Sequence, residues 1–137
     1  MKAAARALHG LRVLVIEDDA DVCELFEGLL RAEGAEATKA ETGREALADG
    51  EARRFDVVFC DLGLPDIPGE IVIRHLLATC PRPPAVGAIT GGGDFRLRRA
   101  MSAGAKIVFR KPVERERIVA FLRGCQVGPS DVGELEW

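Results

Sequence analysis

The chain has 137 residues, 47% of them hydrophobic and 30% charged, with a formal net charge of −3. That length suits one soluble globular domain able to bury a core without metal or disulfide staples. The charge gives no general pull toward nucleic acid or an anionic membrane, and no apolar run approaches the length of a bilayer span.

The N-terminal MKAAARALHG lacks a long apolar stretch and makes a poor secretory signal. Cys23, Cys60, Cys80 and Cys125 form no CxxC pair, and His9 and His75 do not fall near them in a zinc spacing. They read as reduced thiols, which points to a cytoplasmic protein.

LRVLVI, residues 11–16, is a β-branched apolar run and reads as a buried strand. Val22, Leu25, Phe26, Leu29 and Leu30 recur at helical spacing, so a helix is expected over 20–33, with Gly34 as its stop. EATKA, 36–40, is polar enough for an edge strand. Thr42-Gly43-Arg44-Glu45 has capping-box spacing and opens a helix toward Arg53. FDVVFC, 55–60, is a second strongly apolar strand. A helix is expected over 69–79, after Pro68, with Ile73, Leu76 and Leu77 on one face. Strands follow at 85–89 and 106–110, separated by a helix from Asp94, read as its cap, to Ala103. Phe95 and Met101 of that helix read as packing residues and His75 as a surface one. After Pro112 a last helix turns Ile118, Phe121, Leu122 and Cys125 inward. The residues after Cys125 carry turn formers and acids and read as a loosely held tail, with Trp137 at its end.

Five strand–helix units in alternation imply an α/β fold: a parallel sheet with helices on both faces. Such sheets gather ligands at the carboxyl ends of the strands. The residues at those ends are Glu17-Asp18-Asp19, Asp61, Thr90 and Lys111. Each is ordinary alone, as a turn residue, a cap or a solvated charge. Brought to one rim, they would form a pocket of carboxylates, a hydroxyl and an amine. Clustered carboxylates repel unless a cation joins them, and hard oxygen ligands favour magnesium. A carboxylate beside such a cation can become an aspartyl phosphate, with the ammonium and hydroxyl offsetting phosphoryl charge.

The set resembles the receiver domains of two-component response regulators. VLVIEDD is similar to their first strand and acidic pair, DLGLPDIPG to their DxxxPxxxG phosphoacceptor loop, ITG to their hydroxyl position and GAKIVFRKP to their GAxxYLxKP stretch. The resemblance spans residues 11–124 and implies a flavodoxin-like receiver fold with strand order 2-1-3-4-5. It leaves 1–10 as an N-terminal extension and 125–137 as a C-terminal tail. It implies that Asp61 is the phosphoacceptor. Glu17, Asp18, Asp61 and the Gly63 backbone carbonyl would hold Mg2+, with Mn2+ as a substitute. Thr90 and Lys111 would bind the phosphoryl group, while Asp19 would cap a helix. The implied partners are a sensor histidine kinase or histidine phosphotransfer protein and a downstream protein target, with no nucleic acid and no membrane; a homodimer stays open. The implied activity is a switch, not an enzyme beyond its own phosphorylation and dephosphorylation.

The sequence departs from the family at three places. The switching aromatic position falls on Val108, and Phe109, one residue on, would point to the opposite face of its strand. Gly63 and Gly92 stand where side chains in the family influence dephosphorylation, so neither position would block attacking water. Gly91-Gly92-Gly93 would let the loop after Thr90 order when Thr90 grips a phosphoryl group. Arg96, Arg98, Arg99, Lys106 and Arg110 make the following region basic, which suits a solvated face or the docking of an acidic partner. The first helix and the loop after the last strand are where the family meets its kinase. The residues after 124 resemble no output domain, which fits a stand-alone receiver and a piece of a longer regulator alike. Two other classes compete: an interaction module that works without phosphorylation, and a phosphatase or phosphotransferase of the haloacid dehalogenase kind. The second usually carries an acid where this chain has Gly63. No G-x-G-x-x-G follows the first strand, which removes a dinucleotide-binding reading.

Overall fold

The computed structural model describes residues 8–135, with side chains through Cys125. The elements run in strict alternation. They are β1 (Arg12–Ile16), α1 (Ala20–Ala32), β2 (Glu36–Ala40), α2 (Gly43–Ala52), β3 (Val57–Asp61), α3 (Gly69–Thr79), β4 (Ala85–Thr90), α4 (Asp94–Ala103), β5 (Ile107–Arg110) and α5 (Arg115–Leu135). All strand pairs are parallel and the order is β2-β1-β3-β4-β5. The chain moves outward from β1 to β2, then crosses to β3 on the other side. That reversal puts the switch point between β1 and β3, where such sheets form a crevice.

Alternation along each strand splits the core in two. Leu14, Ile16, Val58, Cys60, Val86 and Ala88 face one side, where α2, α3 and α4 contribute Ala46, Val72, Ile73, Leu76, Ala100 and Ala103. Val13, Val15, Val57, Phe59, Ile89 and Phe109 face the other, against Phe26, Leu29 and Leu30 of α1 and Ile118 and Leu122 of α5. β3 is buried at every residue, as a central strand covered on both faces must be. β2 is the polar edge.

Local signals set the helix ends. Thr42 Oγ1 accepts the Glu45 amide at 3.1 Å, and the Glu45 carboxylate accepts the Glu41 amide at 2.7 Å, so the expected box closes one residue earlier on its return side. Gly34 follows α1 with φ of +87°, a left-handed position that suits glycine.

Several expectations need correction. Asp94 does not cap α4; Gly93 is the N-cap and Asp94 instead pairs with Arg110 at 2.9 Å, because the glycine loop runs directly into the helix. Phe95 and Met101 are 64% and 51% exposed. The inner face of α4 is only Ala100 and Ala103, so the large side chains lie outside it. Within the segment read as an N-terminal extension, Leu8 is fully buried and its amide donates to the Glu33 carbonyl at 2.9 Å. The backbone of α5 stays helical to Leu135, through Gly128 and Pro129, across the segment read as a tail. Trp137 lies outside the described residues. Cys23 and Cys60 are buried, Cys80 and Cys125 half-buried, and all are free.

Phe59 is the hub of the α1–α5 side. Its ring lies 4.7 Å from Phe26 and 5.9 Å from both Phe109 and Phe121. Removing it strands three rings around one void. Phe59→Ala is expected to cost about 3–5 kcal/mol in chemical denaturation, and a loss below about 1 kcal/mol would show that the cluster does not act as one unit.

Candidate functional site

The carboxyl ends of β1, β3, β4 and β5 form one open cleft of about 560 Å³, lined by Asp18, Asp61, Gly63, Thr90, Arg96 and Lys111 among others. Asp61 is the last residue of β3 and Thr90 the last of β4. Ile16 and Cys60 are register partners, so the next residues, Glu17 and Asp61, leave adjacent strands side by side. One backbone bond fixes Lys111, whose amide donates to the Thr90 carbonyl at 2.9 Å. The Lys111–Pro112 peptide is cis.

Asp61 is 5% exposed and has both oxygens engaged. Oδ1 accepts the Gly63 amide at 2.9 Å, and Oδ2 lies 3.3 Å from Lys111 Nζ. Lys111 Nζ also lies 3.4 Å from Glu17 Oε1. Burial works against the ammonium, but Asp61 and Glu17 outweigh it and raise the Lys111 pKa. Glu17 is wholly buried. Burial first, and the adjacent Asp61 carboxylate second, push its pKa up to about 8, against the pull of the Asp19 amide and Lys111. Thr90 Oγ1 accepts the Gly92 amide at 2.9 Å, which leaves its own proton free to donate. Asp19 caps α1 through bonds to the Asp21 and Val22 amides at 2.9 and 3.4 Å. It is a cap, as its place in the sequence suggested.

Glu17, Asp18 and Asp61 each offer a carboxylate oxygen within 4.8 Å of the others. Glu17 Oε1 is buried with no hydrogen-bond partner. Three hard oxygen donors, with Glu17 Oε1 held only by the long 3.4 Å ion pair to Lys111, fit a divalent cation that keeps much of its water. The structure thus brings together the acids, Thr90 and Lys111; Val108 lies apart, half-buried on the α2–α4 side of β5. Phe109 points the other way, into the aromatic cluster, as the one-residue offset predicted.

Two contributors escaped sequence reasoning. Asp66, within the DxxxPxxxG loop, accepts the Gly43 and Arg44 amides at 2.8 and 3.0 Å, and these bonds hold its carboxyl below the usual range. It ties the acceptor loop to the start of α2. Arg96 lines the cleft, although the sequence placed it only within a basic face. Gly69 closes the loop: a Cβ there would strike the Asp61 carbonyl oxygen and the Leu62 Cα, so only glycine lets α3 begin against the end of β3.

The chain belongs to the response regulator receiver domain family, whose model matches residues 13–123. It is 28% identical over 110 residues to the cell cycle response regulator CtrA of Brucella ovis, an alignment that takes in 80% of this chain and 47% of that protein. The chain thus spans about half the length of the curated relatives it matches. Among solved structures it is similar to a CheY-like response regulator receiver domain protein from Methanospirillum hungatei, with a TM-score of 0.80, 26% identity, and 93% and 98% of the two chains covered. It also shares its fold with the receiver domain of a sensor histidine kinase from Pseudomonas aeruginosa PAO1, solved with magnesium in the active-site cleft. There the TM-score is 0.78, identity 22%, and coverage 87% and 99%. The receiver is a signalling domain of two-component systems rather than a catalytic enzyme family. Among the described residues no helix is long and apolar enough to cross a membrane.

The buried acid pair has a consequence for stability. Glu17 holds its proton more tightly in the folded chain than an ordinary glutamate does. The folded state therefore binds more protons between about pH 4.5 and pH 8, and stability falls as pH rises through that window. Glu17→Gln is expected to raise the melting temperature of chelator-treated protein near pH 9 by a few degrees, on the order of 1 kcal/mol, and to change it little near pH 5. Melting curves at both values check this; a variant less stable at the higher pH would contradict it.

Proposed function

We propose that this chain is a phosphorylation-controlled switch in which Asp61 accepts a phosphoryl group from a histidine kinase or histidine phosphotransfer protein. The single observation that supports the reading most is Asp61 itself: a buried carboxylate at the strand-order switch point, held between a backbone amide and Lys111 and beside two further acids. In the transfer, an Asp61 oxygen forms the bond to phosphorus while the phosphorus–nitrogen bond of the donor breaks and the imidazole leaves with its electron pair. Lys111, already 3.3 Å from Oδ2, is placed to offset charge on the phosphoryl oxygens. Thr90 donates its free proton to another. Glu17, Asp18 and Asp61, with the Gly63 carbonyl, would hold Mg2+ or Mn2+, which when bound supplies positive charge for the phosphoryl oxygens. The chain's only catalysis would be on itself, in forming and hydrolysing the aspartyl phosphate.

The switching body is residues 11–124, preceded by the extension 1–10 and followed by 125–137, with Leu8 of the extension packed into it. α1 and the loop after β5 flank the cleft and would meet the kinase's histidine-bearing helices. The exposed basic face of α4 and β5 would meet an acidic downstream partner. A homodimer formed through that face is compatible with this reading, as is a cytoplasmic location. A second reading, a protein-interaction module independent of phosphorylation, draws on Val108: with Phe109 locked in the core, the usual coupling of threonine and aromatic has no aromatic to move.

Incubation with Mg2+ and acetyl phosphate, followed by intact mass, separates the readings. One acid- and base-labile phosphoryl addition is expected in the parent, none in Asp61→Asn and none after chelation. Thr90→Ala and Lys111→Met are expected to slow the addition at least about tenfold. No addition from acetyl phosphate or from a cognate kinase would favour the second reading.

A further inference from the structure

Gly92 has no side chain, and Arg96 of α4 lies across it. A Cβ at position 92 would stand 2.9 Å from Arg96 Cδ, 3.2 Å from its Cγ and 3.3 Å from Thr90 Oγ1. The arginine stem occupies the space that a side chain two residues past Thr90 would take. The sequence suggested that this position is open to water; the structure covers it from α4. Gly63 differs, because a Cβ there would meet nothing closer than Asp61 Oδ1 at 3.7 Å.

Arg96 lines the same cleft as Asp61, Thr90 and Lys111. The other cations nearby are committed. Lys111 is shared between Glu17 and Asp61, Arg99 pairs with Glu70 at 3.1 Å, and Arg110 pairs with Asp94. Among the described residues Arg96 has no ion-pair partner. A phosphoryl group on a carboxylate brings close to two negative charges and three acceptor oxygens. A bound divalent cation, one shared ammonium and one hydroxyl would meet part of that demand, and a guanidinium adds forked donors suited to the remaining phosphoryl lone pairs.

We propose that Arg96 is a second phosphoryl-binding cation, which folds over Gly92 to grip and cover the group on Asp61 beside Lys111. The assignment deepens the phosphoacceptor reading and rests on it. It gives Gly92 a role: the glycine makes room for the stem. It also gives α4 a direct link to the acceptor, since the side chain that meets the phosphoryl group belongs to the helix that carries the basic face.

The test is titration calorimetry of fluoroberyllate with Mg2+ present, and of Mg2+ alone. Arg96→Ala is expected to bind fluoroberyllate about tenfold more weakly, and Arg96→Lys to recover part of the loss. Binding of Mg2+ alone should be equal or tighter in Arg96→Ala, because a positive charge has left an acidic cleft; weakening of both ligands would mark a merely structural residue and overturn the assignment. Gly92→Ala pushes the stem aside, so it should weaken fluoroberyllate binding in the parent and have little further effect in Arg96→Ala. Additive losses in that cycle would also overturn it. If Arg96→Ala binds fluoroberyllate as the parent does, this assignment fails alone. If the parent binds none, the phosphoacceptor reading fails and takes the assignment with it.

Discussion

Two carboxylates that the backbone will not let separate set the character of this molecule. Parallel pairing of β1 and β3 puts Glu17 and Asp61 on neighbouring strands, which run about 4.8 Å apart. Both are buried, so their repulsion is poorly screened. The pairing that buries β3 at every residue holds their backbones side by side. Lys111 is the answer within the chain: an ammonium carried from β5 and placed between both acids. It is an incomplete answer, because the Lys111 contact to Glu17 Oε1 is too long for a good hydrogen bond and the Glu17 carboxyl resists ionisation. A site left short of positive charge is ready for a cation from solution, and the two apolar layers supply the stability that offsets it.

Most of this was legible in the sequence because it is carried by short-range signals. Apolar runs of four to six residues ending on a polar one mark central strands, and the alternation with helical periodicity fixes a parallel sheet. Once the strands are parallel, their ends must share a rim, so Asp61, Thr90 and Lys111 converge without any pair of them being near in sequence. What was not legible depends on side chains reaching between elements. Asp66 reads as one more loop acid until the start of α2 is seen lying against it. Arg96 reads as part of a basic stripe until Gly92 is seen beneath it. Phe95 and Met101 misled because size suggests burial, whereas α4 packs through alanines and turns its bulk outward. Asp94 misled because a carboxylate at a helix start suggests a cap, and here Arg110 of β5 claims it.

Those same features bear on how a charge arriving at Asp61 could be felt elsewhere. α4 is fastened lightly. Its inner face buries two alanines, and its ion pairs, Arg99 with Glu70 and Arg110 with Asp94, each involve an arginine more than half exposed. Such pairs hold a helix weakly. Glu70, the α3 partner in the first pair, adds a further weakness, being buried with one oxygen unpartnered. Three glycines join this helix to Thr90, so little stiffness separates it from the cleft. β5, by contrast, is anchored by Phe109 in the aromatic cluster. The helix is thus held less firmly beside Asp61 than the Phe109 end of the last strand. Val108 stands at the usual aromatic position, and under the proposed switch the coupling would pass instead through the loop and α4, whose outward face bears the exposed Phe95, Arg98 and Met101.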